Sequence, residues 1–429
     1  MKLVIIGNGI TGLCAARTVR KNLPDARIQM VSSEHPYPFA RTALMYVYMG
    51  SVSLEATECN SRDFYKTNRI ELLFAHAERA DTALRKVHLS GGQTLDYDCL
   101  LIASGSVPSR YGWPGQDLTG VHGLYSLQDL SGIEEASRAG IQKAVLVGGG
   151  LIGVELAEML RSRQIPVTML VRESSYAPHI LPAEESNIVT AEIRRHGVDL
   201  RFSTNLAAIT ADADGRAAGV RTENGEEITC NFVGLTAGVL PRIDFAKASN
   251  VHCDKGILVN DFFETSAEGV FAAGDCAQFH AAGRAGRIEQ LWYTGRIQGT
   301  AAGVVLCDAL TKKKPANRYA PDVFFNSAKF FEIEYQAYGS VPPDSRSLYI
   351  EDAPKKRSIR IAFSNDESRQ VLGFVLLGVR YRQQVCQQWI REKKSIDTVL
   401  DELDTANFDP EFSERYEQAL RDRASKVFA

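Results

Sequence analysis

Two segments far apart in the chain share one pattern of apolar and polar positions, in which a short apolar run is followed by a glycine-rich turn. In the first segment Lys2-Leu3-Val4-Ile5-Ile6 precedes Gly7-Asn8-Gly9-Ile10-Thr11-Gly12, and in the second Ala144-Val145-Leu146-Val147 precedes Gly148-Gly149-Gly150-Leu151-Ile152-Gly153. Short continuous apolar runs are typical of strands buried in a parallel sheet. Each segment therefore predicts a strand, a tight turn and a helix that begins at the turn.

The pattern around these turns predicts alternating strands and helices. Strands are expected over 2–7, 27–32, 94–102, 143–147, 167–171, 233–238 and 270–275, and helices over 10–22, 151–163 and 287–306. Asn224-Gly225 lies between two strand-like runs and predicts a hairpin turn. This alternation predicts an α/β fold with two parallel sheets.

From Tyr319 onward the pattern changes to successive strands followed by helices. Strands are expected over 324–338, 347–350, 358–363 and 371–378, and helices over 380–392 and 411–427. This order predicts an α+β domain at the C-terminal end of the chain. In the last helix Phe412, Tyr416 and Leu420 fall at helical spacing, which favours a domain-closing or dimer helix over a membrane-binding one.

Composition narrows the class of protein. The chain has 429 residues with 45% hydrophobic and 24% charged residues, which is typical of a globular protein of about three domains. The net charge of −3 gives no reason to expect a nucleic-acid-binding protein, which would need a basic face. No apolar run approaches the ~20 residues that cross a membrane, and the first residues already form a strand, so we expect no transmembrane segment, no signal peptide and a cytoplasmic protein.

Eight cysteines are present, but none of them forms a Cys-x-x-Cys pair or a His/Cys cluster with the spacing of metal ligands. We therefore expect thiols in a reducing compartment and no metal site.

The two glycine turns have the chemistry of phosphate-binding sites. Glycines allow the backbone to approach a pyrophosphate, and the N-terminus of the following helix presents free N–H groups to the anion. The candidate residues are Gly7, Gly9, Ile10, Thr11 and Gly12 in the first turn, and Gly148, Gly150, Leu151, Ile152 and Gly153 in the second. Two such turns predict two bound dinucleotides, the arrangement that is needed to pass a hydride from one to the other.

Acidic residues follow each turn at about the 20-residue offset of a ribose-binding carboxylate. After the first turn the acidic residue is Glu34, a candidate for an adenosine ribose; Ser33 is a second candidate, and Ser32 at the strand end is placed to share the ribose contact. After the second turn Arg172 and Glu173 are adjacent. An arginine would pair with the 2′-phosphate of NADPH, whereas a carboxylate would repel it, and the position of Glu173 favours NADH.

Four segments together resemble the pyridine nucleotide–disulfide oxidoreductase superfamily of two-dinucleotide flavoproteins. They are the first glycine turn, Tyr97 to Gly105, Gly148 to Glu155 and Thr265 to Asp275. The resemblance covers residues 1–310. It implies a discontinuous FAD domain over 1–110 and 246–318, an inserted NAD(P)-binding domain over 111–245, and a C-terminal α+β interface domain over 319–429.

The C-terminal part is similar to the ferredoxin, rubredoxin and putidaredoxin reductase branch. Phe325-Asn326-Ser327, Gln336-Ala337-Tyr338-Gly339, Arg41 and Arg287-Ile288-Glu289 lie where that branch carries its own motifs. Two departures stand out. Tyr46 replaces a lysine that lies close to the flavin in the branch, and Phe325-Asn326-Ser327 replaces a tryptophan-rich run.

The resemblance also implies roles for individual residues. FAD would contact Arg41, Thr42, Ala103, Ser104, Gly105, Gly274, Asp275 and Glu289. Gly238 is a further cofactor-binding candidate, and Trp292 either shields the flavin or packs in the core. Asp275 would bind the ribityl chain, and the helix near Glu289 would direct its dipole at the flavin ring. Glu155 would orient the nicotinamide carboxamide, so Glu155 and Tyr46 are the candidate catalytic residues.

The expected function is that of an FAD-dependent NAD(P)H oxidoreductase, which passes a hydride from NAD(P)H to flavin N5 and then electrons to a separate acceptor such as a ferredoxin- or rubredoxin-type iron–sulfur protein. A homodimer is compatible with the resemblance. Two alternatives stay open: a quinone-type dehydrogenase at a membrane surface, and a flavoprotein interaction module that responds to nucleotide. A thiol–disulfide reductase is disfavoured, because residues 39–49 contain no cysteine where the superfamily carries its redox pair.

Overall fold

The computed structural model describes residues 1–280 and 286–428. Its strands, numbered in chain order, are β1 (Lys2–Ile6), β2 (Arg27–Ser32), β3 (Ile70–Phe74), β4 (Ala77–Asp81), β5 (Lys86–Leu89), β6 (Thr94–Asp96), β7 (Cys99–Ile102), β8 (Ser106–Pro108), β9 (Val121–His122), β10 (Ala144–Val147), β11 (Val167–Leu170), β12 (Val198–Arg201), β13 (Leu206–Ala211), β14 (Ala217–Thr222), β15 (Glu227–Thr229), β16 (Phe232–Leu235), β17 (Val239–Pro241), β18 (Ile257–Val259), β19 (Val270–Ala272), β20 (Ala277–Phe279), β21 (Arg287–Ile288), β22 (Phe325–Phe330), β23 (Ile333–Gly339), β24 (Arg346–Asp352), β25 (Arg357–Phe363) and β26 (Val371–Leu377). Its α-helices are α1 (Ile10–Asn22), α2 (Leu44–Tyr48), α3 (Arg62–Thr67), α4 (Leu127–Ala139), α5 (Leu151–Ser162), α6 (Ala183–Arg195), α7 (Asp244–Ala248), α8 (Trp292–Leu310), α9 (Gln383–Arg391), α10 (Ile396–Glu402) and α11 (Glu417–Phe428).

The chain divides into two compact units. The first contains Met1–Ser109, His122–Ala139 and Gly238–Ala320, and the second contains Arg110–Val121, Gly140–Ala237 and Pro321–Ala429. Residues 122–139 and 238–245, which the sequence assigns to the inserted domain, thus belong to the first unit. The C-terminal segment shares a unit with residues 140–237.

The first unit is built on a five-stranded parallel sheet in the order β19-β7-β1-β2-β3. Its central strands are apolar and buried along almost their whole length, as expected of strands covered on both faces. Helices α1 and α8 pack closely, because Gly295, Gly299 and Gly303 of α8 leave no side chain between the backbones. A Cβ at Gly299 would overlap the carbonyl oxygen of Thr11.

The second unit contains a parallel sheet in the order β12-β11-β10-β16-β9 and a three-stranded sheet, β13-β14-β15. Gly225 has φ of +87° in the turn between β14 and β15, so the hairpin predicted at Asn224-Gly225 is present. Residues 325–377 form an antiparallel sheet in the order β22-β23-β26-β25-β24. The predicted fold class, two parallel α/β sheets with a C-terminal α+β part, is confirmed.

Several predicted boundaries are wrong for reasons of strand pairing. The strand expected over 94–102 is two strands, because β6 pairs with β5 in a small antiparallel sheet while β7 enters the parallel sheet. The strand over 324–338 is a hairpin that reverses at Phe331, where φ is +54°.

Two helix predictions also need correction. The helix expected from residue 287 begins at Trp292, because Arg287–Ile288 form β21 and pair with β20. The helix expected from residue 411 begins at Glu417, so Phe412 and Tyr416 precede it and do not share its face with Leu420. Helix α10 is not predicted by the sequence pattern.

A buried ion pair joins α6 to the C-terminal sheet within the second unit. Arg360 on β25 donates its Nε to Glu185 Oε1 at 2.8 Å and a terminal nitrogen to Glu184 Oε2 at 2.8 Å. Arg360 and Glu185 are both buried, and the guanidinium lies 4.4 Å from the ring centre of Tyr349. Because a buried charge is costly without its partner, this pair locks the sheet against the helix.

We expect Arg360→Ala to lower the free energy of unfolding by about 3–5 kcal/mol, because Glu185 would keep a buried charge with no partner. A urea titration of the purified variant measures this. Arg369→Ala is the matched control, since Arg369 pairs with Asp397 at an exposed site and should cost at most about 1 kcal/mol. Adding Glu185→Gln to Arg360→Ala should recover part of the loss, and equal effects of Arg360→Ala and Arg369→Ala would contradict the argument.

Candidate functional site

The first glycine turn has the geometry of a phosphate-binding turn. Gly7 has φ of +106°, and a Cβ there would overlap the carbonyl oxygen of Ala103 at the end of β7. A Cβ at Gly12 would overlap the carbonyl oxygen of Gly7, whereas a Cβ at Gly9 would meet no atom within 4 Å. Gly7 and Gly12 therefore close the turn, and Gly9 faces open space. Ile10 and Thr11 begin α1, which no side chain caps.

The second turn repeats this geometry in the second unit. Gly148 has φ of +115°, and a Cβ there would lie 2.7 Å from the carbonyl oxygen of Thr236. A Cβ at Gly153 would overlap the carbonyl oxygen of Gly148, and Gly150 again faces open space. Leu151 and Ile152 begin α5, which also has no side-chain cap.

Both turns thus fit a pyrophosphate. Each one leaves open space beside its middle glycine, and each starts a helix whose first N–H groups receive no capping side chain. An anion at the helix N-terminus would supply the missing acceptor and would be favoured by the helix dipole.

Arg41 and Glu34 form a paired cluster in the first unit. The two terminal nitrogens of Arg41 donate to Glu34 Oε1 at 2.8 Å and Oε2 at 2.6 Å, and the Leu127 N–H donates to Oε1 at 3.0 Å. Burial acts to raise the pKa of Glu34, but the hydrogen bonds from Arg41 outweigh it and hold that pKa below its usual value. The Glu34 carboxylate already accepts three hydrogen bonds, so a ribose hydroxyl would have to share it with Arg41 and Leu127. The neighbouring candidate Ser33 is exposed.

Asp275 lies in a second polar cluster of the first unit. Its Oδ2 accepts a hydrogen bond from Ser106 Oγ at 3.0 Å, and Gln290 Nε2 donates to the same hydroxyl at 2.8 Å. The Ser106 N–H donates to Tyr125 Oη at 2.9 Å, and the Tyr125 ring lies 4.5 Å from the Arg41 guanidinium. Burial raises the pKa of Asp275, although Ser106 and the charge of Arg41 oppose the rise.

Gly274 ties this cluster to the first turn. Its φ is +81°, and a Cβ there would press on the Thr11 side chain. The Gly274 N–H donates to Gln298 Oε1 at 2.8 Å, and Thr11 Oγ1 donates to the Gly295 carbonyl oxygen at 3.0 Å. The structure therefore brings the first turn, Asp275 and the start of α8 together, as the predicted FAD site requires.

Glu289 does not lie at the start of the helix, contrary to the sequence prediction. It precedes α8 and accepts hydrogen bonds from Gln298 Nε2 at 2.9 Å and the Tyr319 hydroxyl at 3.0 Å. The helix dipole instead begins at Trp292, which is half-buried and packs edge-on against Tyr293.

The other predicted FAD-site residues lie around these clusters. Ser104 Oγ donates to the Arg242 carbonyl oxygen at 2.7 Å, and Gly105 has φ of +71°. Gly238 has φ of +101°, and its carbonyl oxygen accepts the Ser109 N–H at 2.9 Å. Thr42 is exposed in a 3₁₀ turn, and the half-buried Tyr46 lies on α2.

Glu155 lies on the first turns of α5 in the second unit and is half-buried. Burial, and then the nearby carboxylate of Glu158, raise the pKa of Glu155 to about 7. Glu158 accepts a hydrogen bond from Lys329 Nζ at 2.6 Å. Glu155 therefore changes its charge near neutral pH.

Glu173 follows β11 and is paired with its neighbour. Arg172 donates to Glu173 Oε1 at 2.9 Å, while most of the Arg172 side chain is exposed. Burial acts to raise the pKa of Glu173, but its own backbone N–H and Arg172 lower it overall. A carboxylate is thus present at the position expected of a ribose ligand.

Sequence reasoning missed several residues that donate or accept hydrogen bonds in these clusters and at the second turn. They are Ser106, Tyr125, Leu127, Thr236, Gln290 and Gln298. Ser106 directly follows the predicted cofactor-binding segment 103–105, and this position next to a motif could have identified it from the sequence. The others have no motif of their own, because their partners lie far away in sequence.

The aromatic residues at the start of the C-terminal sheet are packed. Phe325 and Asn326 on β22 are buried, and so are Phe330 and Phe331. Phe325 lies 5.0 Å from the Tyr338 ring, centre to centre. These side chains therefore belong to the core of the C-terminal part.

Among the residues described, Glu192, His196 and Glu332 are close enough together to hold a metal ion. Glu192 already binds Arg195 at 2.8 Å and Lys356 at 2.8 Å, so cations of the protein balance its charge. All eight cysteines are described, and each is a free thiol. No helix in the described ranges has both the length and the apolar character to cross a bilayer.

A protein-family model and several known proteins are similar to this chain. The family model of the pyridine nucleotide-disulphide oxidoreductases matches residues 1–299. The rhodocoxin reductase of Rhodococcus erythropolis is 31% identical over 290 residues, which are 67% of this chain and 67% of the relative. The ferredoxin–NAD(+) reductase component of the p-cumate 2,3-dioxygenase system of Pseudomonas putida is 28% identical over 401 residues, 92% of this chain and 94% of the relative.

The fold is also that of solved reductases. The putidaredoxin reductase–putidaredoxin covalent complex matches with a TM-score of 0.80 and 21% identity over 100% of this chain and 99% of that one. Because the family model spans more than half of the chain, including both glycine turns and Asp275, the chain belongs to the pyridine nucleotide-disulphide oxidoreductase family.

Proposed function

We propose that the protein is an FAD-dependent NAD(P)H oxidoreductase that delivers electrons to a separate acceptor, a small iron–sulfur protein of the ferredoxin or rubredoxin type. The observation that carries this proposal is the pair of open, uncapped glycine turns, of which the first is joined through Gly274 to the half-buried Asp275. The relatives named as ferredoxin and rubredoxin reductases support the choice of acceptor.

In the first unit Gly7, Gly9 and Gly12 would admit the pyrophosphate of FAD, and Asp275 would accept hydrogen bonds from its ribityl chain. Ser106 and Gln290 hold the Asp275 carboxyl in place. When bound, FAD supplies two-electron acceptance from a nicotinamide and one-electron release to an acceptor. The side chains that orient it would be those of the Arg41 and Asp275 clusters.

In the second unit Gly148, Gly150 and Gly153 would admit the nicotinamide dinucleotide, and Glu155 would bind the nicotinamide carboxamide. Below about pH 7 the Glu155 carboxyl holds a proton and can donate it in a hydrogen bond. Above that pH the carboxylate accepts a hydrogen bond from the carboxamide N–H. It then also stabilises the positive charge that the nicotinamide ring gains as it is oxidised.

Glu173 favours NADH as the reductant. Its ionised carboxylate would accept hydrogen bonds from ribose hydroxyls and would repel a 2′-phosphate. Arg172 is already paired with Glu173, which reduces its availability for a phosphate.

Tyr46 replaces a cationic side chain of related reductases and would contact the flavin site without adding a charge. We further infer a homodimer and a cytoplasmic location, the latter in keeping with eight free thiols. Neither a quinone nor a purely structural role is favoured by a specific feature of the described residues.

The proposal is tested by redox titration of the purified protein. We expect a yellow protein that NADH bleaches anaerobically, because both dinucleotide turns are formed, and that ferricyanide or an oxidised ferredoxin or rubredoxin recolours. Absorbance of the flavin follows both steps. If neither NADH nor NADPH bleaches the protein, the proposed reaction is wrong; recolouring only by a quinone would reject the iron–sulfur acceptor.

We expect the rate constant of flavin reduction by NADH to rise by about 3- to 10-fold as pH increases through about 7, because ionised Glu155 stabilises the oxidised nicotinamide. Stopped-flow absorbance measures this. Glu155→Gln should abolish the rise, whereas Glu227→Gln, at an exposed position on β15, should keep it. Full pH dependence in Glu155→Gln would exclude Glu155 as the titrating group.

We expect Glu173→Gln to raise the ratio of kcat/KM for NADPH to that for NADH by about tenfold, which corresponds to about 1.4 kcal/mol of lost repulsion. Steady-state kinetics with ferricyanide measure the ratio. Adding Arg172→Gln should cancel part of the gain, because the freed guanidinium would otherwise bind the 2′-phosphate. An unchanged ratio would mean that another residue selects the nucleotide.

A further inference from the structure

One strand of the C-terminal sheet contacts the helix of the second glycine turn. Within the second unit Lys329 on β22 donates Nζ to Glu158 Oε1 on α5 at 2.6 Å. The next residue, Phe330, is buried and meets the Tyr176 ring edge-on, with 5.9 Å between ring centres. Adjacent residues of β22 thus touch both α5 and the segment after β11.

Glu158 and Glu155 lie three residues apart on α5, so they share one face of the helix. The Glu158 side chain is only 11% exposed. Lys329 is the cation that pairs with this largely buried carboxyl group. The two carboxyl groups are close enough for the charge of one to act on the other.

Tyr176 borders the same cluster. It is fully buried, its hydroxyl has no hydrogen-bond partner among the described residues, and its pKa is raised by burial and then by the charge of Glu155. Among the described residues of this unit, Glu158 from its own helix acts on Glu155, Lys329 from β22 binds Glu158, and Tyr176 from the segment after β11 is affected by the charge of Glu155.

We propose that Lys329 is a positioning residue of the nicotinamide site, which acts through Glu158 on the carboxyl group of Glu155. The C-terminal sheet is then part of the reductive step in addition to its role in packing. This inference deepens the proposed function and rests on it, because it takes Glu155 as the residue that binds the carboxamide.

Changes on the two sides of the ion pair should have opposite effects. Without Lys329, the Glu158 carboxylate loses the cation that offsets its charge, so it repels the Glu155 carboxylate more strongly and the titration of Glu155 moves to higher pH. Without the Glu158 carboxylate, Glu155 loses its repulsive neighbour and keeps the Lys329 cation, so its titration moves to lower pH. A purely structural role of the pair would lower the rate in both variants without shifts of opposite sign.

The test uses the complete flavoprotein and measures the pH midpoint of flavin reduction by NADH in single turnovers. We expect the midpoint to move up by about one pH unit in Lys329→Met and down by about one unit in Glu158→Gln. Lys329→Arg keeps the positive charge and should restore the wild-type midpoint. Midpoints that do not move, or that move in the same direction, overturn the inference. If Lys329→Met does not fold, the downward shift in Glu158→Gln and the retained midpoint in Lys329→Arg decide it.

A second readout separates this inference from the proposed function. Infrared titration of protein with isotope-labelled glutamate, with the Glu155 band identified by its loss in Glu155→Gln, follows the carboxyl group without any turnover. The band should titrate near pH 7 in the wild type and shift as above in the two variants. If NADH fails to reduce the flavin while the band still shifts, the proposed function fails and the coupling stands. A band that does not respond to either variant overturns the coupling.

Discussion

Contact between backbones at the two glycine turns is the constraint on which the rest of the structure depends. Gly7 lies against Ala103, and Gly148 lies against Thr236, so each turn closes only on the end of a neighbouring strand. Any side chain at these positions would drive the strand away, and the helix behind the turn would lose its direction. Because α1 also packs on α8 through glycines, the first turn, Asp275 and the start of α8 form one assembly. The open space beside Gly9 and Gly150 is a consequence of this packing.

The carboxyl groups of the two predicted sites differ in their neighbouring charges and in the direction in which their pKa is shifted. In the first unit Glu34 is paired with Arg41, which holds its pKa low and fixes a carboxylate where we expect the adenosine end of FAD. In the second unit no ion pair of Glu155 is found among the described residues, and burial and the charge of Glu158 raise its pKa to about 7. A group that stays charged suits a cofactor that is bound permanently. A group that titrates near neutrality suits a ligand that changes its own charge during the reaction.

The C-terminal sheet belongs with the predicted nicotinamide-binding segment in one compact unit. Arg360 and Lys329, on different strands of that sheet, both bind carboxylates on helices of the parallel-sheet layer. The first pair is buried and stabilises the unit, whereas the second lies one helical turn from Glu155. The departures at Phe325–Ser327 fall in this sheet too, but Phe325 and Asn326 are buried and Ser327 is half-buried. Acceptor choice is therefore expected to depend on other, exposed side chains.

The sequence by itself determined the family, the fold class, both glycine turns and the Asn224-Gly225 hairpin, because each depends on local steric rules that few residue types satisfy. It also identified Glu173 as a candidate from its spacing and Asp275 and Glu155 from the family resemblance, and their roles stay predictions. Only the tertiary structure decided that α8 begins at Trp292, since Arg287–Ile288 pair with β20. Only the tertiary structure showed that Ser106 donates a hydrogen bond to Asp275, Leu127 to Glu34 and Lys329 to Glu158. These partners are far apart in the chain and have no shared motif, so their interactions exist only once the strands that carry them have come together.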